Sequence, residues 1–264
     1  MGCNGSNRVI TTQEEAYVLF MQEKLGIHKV SVPLAIQTLK KYSKEGMLTT
    51  NTFAYALNEL GLLPLKDNKV DDLVTSKRIW FKFFGCLSDC RDDTGDTFNT
   101  LNIIMTFILL GSISDKEKID LLYENLDWQC RGYVQRSMIK LFIENFCVVA
   151  GEIVPYYAED MYTLMPGLKE FRELWSWAIK QTPDYILKKL ASDWPRLNKE
   201  EFTTTLYSDK YKFLFNAVLL RKWLIKRYKD DFVRHKRYLI HIKKRQKQST
   251  LTILNSILAK IISF

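Results

Sequence analysis

Three histidines (His28, His235 and His241) and five cysteines (Cys3, Cys86, Cys90, Cys130 and Cys147) are the side chains of this 264-residue chain best suited to nucleophilic or metal chemistry. Their spacing suits neither. A catalytic imidazole has to be held against a nucleophile, and two of the three histidines sit inside a run of cations. His235 and His241 are six residues apart, whereas a helical zinc pair needs four. Cys86 and Cys90 stand outside any C-x-x-C pattern, and no histidine follows at ligand spacing. An odd set of thiols without repeated pairing points to a reducing compartment and mostly buried side chains. G-x-x-x-x-G-K-[ST], G-x-G-x-x-G, G-x-S-x-G and H-E-x-x-H are absent. Asp92, Asp93 and Asp96 crowd one stretch, but they fit the remnant of a cation loop better than an acid/base pair. No enzymatic activity and no cofactor are expected.

The N-terminus carries a different chemistry. Met1-Gly2-Cys3-Asn4-Gly5-Ser6 fits M-G-x-x-x-[ST], in which removal of Met1 exposes Gly2 for myristoylation. One acyl chain holds a protein at a bilayer only marginally, and a palmitoyl group on Cys3 would supply the second signal. Gly2 and Cys3 are the expected lipid-attachment residues.

The elements that position these residues are helical. Only 6 Pro and 11 Gly interrupt the chain, and apolar residues recur at helical spacing, as in Ile119, Leu122, Tyr123 and Leu126, then Ile139, Phe142, Ile143 and Phe146. Ser114-x-x-Glu117 reads as a capping box, so a helix should begin near Asp115 and end near Leu126. The run from Ile103 to Leu110 is far shorter than the roughly 20 residues of a membrane-spanning helix.

Between the helix ending at Leu126 and the next lies a twelve-residue stretch, Asp127 to Met138, with Gly132 sixth and Val134 eighth. The glycine permits a sharp turn with positive φ, and the β-branched residue suits a short strand. The same frame lies over Lys41–Thr52 (Gly46 sixth, Leu48 eighth), Arg91–Asn102 (Asp96 sixth, Phe98 eighth) and Leu190–Glu201 (Pro195 sixth, Leu197 eighth). The second and third frames start 36 residues apart, the distance two loops need when joined by an outgoing and an incoming helix.

Over roughly residues 30 to 202 the sequence therefore resembles the neuronal calcium sensor and calcineurin B-like group of EF-hand proteins. The resemblance implies four hands in two pairs, an N-terminal myristoyl chain and an apolar groove for target helices. The expected fold is all-α: two pairs of EF-hand-like helix-loop-helix units with a basic helical C-terminal extension. The expected divisions are an N-terminal lipidated segment at 1–29, the first pair at 30–112, the second at 113–202 and the extension at 203–264.

A calcium loop supplies oxygens at positions one, three, five and twelve, the last a bidentate Glu. The first frame offers Lys41, Ser43, Glu45 and Thr52, and the second Arg91, Asp93, Gly95 and Asn102. The third offers Asp127, Gln129, Arg131 and Met138. The fourth has Glu201 at twelve but Leu190 and Trp194 at one and five. Asp93, Asn102, Asp127, Gln129 and Glu201 are read as vestigial ligand positions, and calcium binding is not expected.

The net charge of +9 is concentrated at one end. From Thr203 to Phe264 there are 15 Lys+Arg against 3 acids, while the remainder carries 24 against 27. The basic docking surface is expected to comprise Arg221, Lys222, Lys226, Arg227 and Lys229, then Arg234, Lys236 and Arg237, then Lys243, Lys244, Arg245 and Lys247. Cations interleaved with aromatic and aliphatic side chains suit anionic lipid or an acidic protein lattice such as a tubulin surface, and they equally suit the solvated face of a helix whose apolar side packs on the hands. Nucleic acid is a poor fit because no reading motif accompanies them. Leu251, Leu254, Ile257, Leu258 and Ile261 form an apolar stripe suited to three places: the protein's own groove, which is preferred, a membrane surface, and a partner.

These readings combine into a non-enzymatic adaptor at the cytoplasmic face of a membrane, with a protein partner. A structural subunit of a large assembly, such as a ciliary microtubule lattice or a membrane complex, is the alternative, and a calcium-regulated sensor the third.

Overall fold

The computed structural model describes residues 13–63, 83–84, 97–161, 168–190 and 195–262. Gly2, Cys3 and Asp93 lie outside them. Along the last helix, side chains are described as far as Ile240 and at Ile242, so those of His241, Lys243, Lys244, Arg245, Lys247 and the stripe at 251–261 also lie outside.

Among the described residues the chain is mostly helix, as expected of an all-α protein. Helix α1 (Gln13–Lys24) leads into α2 (Val32–Tyr42), which is capped by Ser31 and has Pro33 in its first turn. Strand β1 (Met47–Thr49) and α3 (Thr50–Glu59) follow, then β2 (Thr97–Asn99) and α4 (Thr100–Leu110). Helix α5 (Asp115–Leu126) starts at the Ser114–Glu117 capping box, both of whose bonds form, and ends where its apolar spacing ends. Strand β3 (Tyr133–Gln135) and α6 (Arg136–Val148) come next. A π turn (Val149–Ile153) carries the helix on into α7 (Val154–Met161). After α8 (Leu168–Ile179) and α9 (Thr182–Leu190) come β4 (Arg196–Asn198) and α10 (Lys199–Tyr207). A 3-10 turn (Lys212–Phe215) then introduces α11 (Ala217–Ile262).

The four short strands pair two by two. β1 runs antiparallel to β2 with Leu48 opposite Phe98, and β3 runs antiparallel to β4 with Val134 opposite Leu197. These four residues, eighth in the four frames, are all buried. In every frame the strand fills positions seven to nine and the outgoing helix starts at ten. The ninth residue is the N-cap: Thr49, Asn99 and Asn198 accept from the backbone three residues on, whereas Gln135 makes no side-chain cap bond. The sixth residue has a job that does not need a glycine. The Gly46 carbonyl accepts from Thr100 N at 2.9 Å, and in the other pair the Pro195 carbonyl accepts from Arg136 N at 3.0 Å.

One continuous hydrophobic core runs through both pairs. Phe53 packs against Phe84 and Phe98 at ring-centroid distances of 5.2 and 5.0 Å. Phe142 meets Phe146 and Phe202, and Phe146 meets Phe215. The first twelve residues of α11 belong to this core, with Ala217, Leu220, Leu224 and Tyr228 buried against α8, the π turn and the 3-10 turn. The turn between α4 and α5 lies near 112, and α10 runs through 202–203.

Lys118 is a buried strut across the joint. Its Nζ donates to the Leu109 carbonyl at 2.9 Å, an acceptor in the last turn of α4, and to the Phe215 carbonyl at 2.8 Å. Burial pushes its ammonium down from 10.5 to about 8, with Asp115 opposing the shift. The folded state therefore binds fewer protons than the unfolded state between pH 8 and 10.5. The stability attributable to this group rises across that window and is lost as pH falls through 8. Lys118→Met should cost about 1–3 kcal/mol through the unsatisfied carbonyls. The gap between parent and variant in urea denaturation should widen from pH 7 to pH 10; a gap that stays constant would refute the titration.

Candidate functional site

Loop geometry is clearest in the third frame. The Asp127 carboxylate accepts from Arg131 N at 2.9 Å and Gly132 N at 2.8 Å. Gly132 takes φ 80° and Cys130 φ 52°, the left-handed conformations that turn the loop back over its first residue. A cavity of about 150 Å³ lies there, lined by Leu126 and Trp128 together with Asp127, Gln129, Arg131, Tyr133, Gln135 and Met138. The last six are positions one, three, five, seven, nine and twelve, the vertices from which an ion would be held. The donors do not suit a hard divalent cation: the one carboxylate already accepts two backbone N–H groups, and the set includes a guanidinium and a thioether.

The other loops are stitched by their own side chains. In the first, Gly46 takes φ 79° and Glu45 φ 53°. Lys41, at position one, bonds the Glu59 carboxylate at 2.7 Å, which also accepts from the Tyr42 hydroxyl at 2.8 Å. These bonds raise the Lys41 pKa and lower that of Glu59. Ser43 Oγ lies 2.7 Å from Thr100 Oγ1 across the pair. In the second loop, Asn102 is buried; its N–H donates to Asn99 Oδ1 and its carbonyl accepts from Thr106 Oγ1. In the fourth, Glu201 accepts from Asn198 N at 2.9 Å, completing a capping box. The carboxylate read as a vestigial ligand is thus a helix cap. Among the described residues no three His, Cys, Asp or Glu side chains converge as metal ligands.

The basic surface needs one correction. Arg221 is fully buried, not part of a docking face. Its Nε and Nη2 grip the Glu15 carboxylate at 2.6–3.0 Å and its Nη1 donates to the Ala150 carbonyl at 3.1 Å. This buried ion pair joins the first helix to the last, and the π turn presents the carbonyl that completes it. Sequence reasoning missed it, although a signal exists: Arg221 shares a helical stripe with Ala217, Leu224 and Tyr228, at i−4, i+3 and i+7. Lys222 is half-buried, with Nζ lacking a hydrogen-bond partner among the described residues.

The remaining described cations are outside. Lys226, Arg227 and Lys229 are exposed, Arg227 lying over the Tyr185 ring at 4.7 Å. Arg234 pairs with Asp231, and Lys236 with Glu173 of α8 at 2.7 Å. Arg237 is exposed, with no ion pair among the described residues. A groove of about 540 Å³ marks where α11 parts from α8, with Tyr156, Trp177, Phe232, His235 and Leu239 on its walls. Of the thiols described, Cys147 is buried, which raises its pKa, and Cys130 is exposed. No helix among the described residues is long and apolar enough to cross a membrane.

No protein-family model and no curated protein matches this sequence.

Proposed function

We propose that this chain is a non-catalytic adaptor built on two pairs of degenerate EF-hand-like units, resembling the neuronal calcium sensor and calcineurin B-like group. Acyl groups on Gly2 and Cys3 hold it at the cytoplasmic face of a membrane, and it engages a protein partner through its helical body and the cations of α11. The observation that carries the EF-hand part is the pairing register, in which Leu48 meets Phe98 and Val134 meets Leu197, each the eighth residue of its frame. What supports a scaffold over a sensor is the fate of the ligand positions. Lys41 is salt-bridged, Asp127 closes its own loop and Glu201 caps a helix, so an ion has no work left to do there. Helix pairs fixed in this way keep one arrangement, whereas a sensor needs two.

Calorimetric titration with calcium after chelation should give no heat of binding in the micromolar range; a micromolar constant would restore the sensor reading. In fractionation of native material, detergent or hydroxylamine should release an acylated adaptor. Resistance to detergent with release by high salt would instead identify a lattice subunit.

A further inference from the structure

Helix α11 becomes more open towards its midpoint. Its last holds are Trp177 against Phe232 and His235, at centroid distances of 5.9 and 5.7 Å, and the Lys236–Glu173 bridge. Beyond them Arg237, Tyr238, Leu239 and Ile240 are all exposed, the last three at 64%, 41% and 55%. Four successive residues about 100° apart go round the whole circumference of a helix. Leu239 still lines the groove beside Trp177, and Ile242 on the same face is half-buried, whereas Tyr238 and Ile240 put large apolar surface into water on the other side of a helix that continues to Ile262.

We propose that this exposed side of α11, with Arg234, Arg237, Tyr238 and Ile240 as its contacts, lies on the surface of an anionic bilayer. Charge selects the occupant. From Arg234 to Lys247 there are 7 Lys+Arg and no acid, so a second copy of this helix would bring like charge against like. Nucleic acid would satisfy the cations but offers no apolar medium for Tyr238 and Ile240. A bilayer interface supplies anionic headgroups for the cations and acyl-chain boundary for tyrosine and isoleucine. The tyrosine ring suits the headgroup level, where one edge is apolar and the hydroxyl is wet. This deepens the membrane location proposed above, but it rests on α11 alone and not on acylation of Gly2 or Cys3.

The test uses the full chain carrying Gly2→Ala, so that no myristoyl chain is attached. It is sedimented with vesicles of phosphatidylcholine alone or with about one lipid in three replaced by phosphatidylserine. The chain should sediment with the anionic vesicles, leave the neutral ones in solution, and dissociate as salt is raised. Arg237→Gln should lower the partition coefficient about fivefold. Tyr238→Ser/Ile240→Ser should weaken binding further while leaving the melting curve nearly unchanged, since both side chains are more than half exposed. Equal binding to both vesicle types, no binding to either, or full binding by the double variant would each overturn the proposal. So would concentration-dependent dimers in lipid-free sedimentation that the double variant abolishes. Failure of acylation in native material would leave the result intact, which separates this inference from the adaptor reading.

Discussion

Glu15→Ala is expected to destabilise the folded chain by about 3–5 kcal/mol, because it leaves the Arg221 guanidinium buried without a counter-charge. The geometry explains the size. Arg221 Nη2 and Nε both reach the carboxylate, at 2.6 and 2.9 Å to Oε1, and neither side chain is reached by water to any extent. The Ala150 carbonyl that holds Nη1 cannot neutralise a full charge. For a chain of this size the loss corresponds to a fall in Tm on the order of 10 °C. The pair is not expected to be a large net source of stability in itself, since desolvating two ions offsets most of their attraction. Glu15→Met/Arg221→Met should therefore recover most of the loss. Thermal melts of the parent, both single variants and the double variant check this. A double variant no better than the worse single one would mean that Arg221 acts through packing and not through charge.

The second large effect is at Gly111, in the turn that joins the two pairs. Its φ of −72° is open to any residue, so strain in the backbone is not the reason for glycine here. The reason is space. A methyl group on its Cα would overlap Val32 Cγ2, at the buried start of α2, and come within 2.6 Å of the Phe107 carbonyl oxygen. That carbonyl is also the acceptor of Gly111 N at 2.9 Å, so the turn cannot yield without losing the bond that ends α4. Gly111→Ala should cost about 3 kcal/mol or more, at the upper end of overpacking effects. Val32→Ala removes one of the two clashes, so the Gly111→Ala/Val32→Ala variant should be less unstable than the sum of its parts. Urea denaturation of the four proteins would show additivity, and so refute the argument, if the two sites do not meet.

Much of the local structure was legible because the residues that decide it are close together in the chain. Ser114 and Glu117 announce a helix start three residues apart, and the apolar spacing from Ile119 to Leu126 marks its end. Gly132 and Val134 suggest a turn and a strand within the same loop, and the frame drawn from them places Phe98 and Leu197 correctly even where Asp96 or Pro195 replaces the glycine. Pro195 is tolerated because its position works through a carbonyl, which proline retains.

What the sequence hid depends on partners far along the chain or on one spacing with two meanings. Arg221 looks like any other member of Arg-Lys-Trp-Leu-Ile-Lys-Arg until Glu15 is brought to it. Glu201 stands three residues after Asn198, and that interval is both the ninth-to-twelfth spacing of a calcium loop and the N-cap-to-N3 spacing of a capping box. Spacing alone could not separate the ligand from the cap. Lys118 lies among the charged residues of Asp115-Lys-Glu-Lys and gives no local sign that its ammonium closes two carbonyls from different elements.

The ion pair between α1 and α11 also sets an order of events in time. Glu15 precedes Arg221 by 206 residues, which at ordinary rates of synthesis is roughly 10–40 s. During that interval α1, at 12 residues, is too short to persist as an isolated helix, and the guanidinium that will pair with Glu15 has not been made. The Tyr17 hydroxyl can meet the Ala158 carbonyl of α7 before then, but the Glu15 carboxylate gains its counter-charge only once the start of α11 exists.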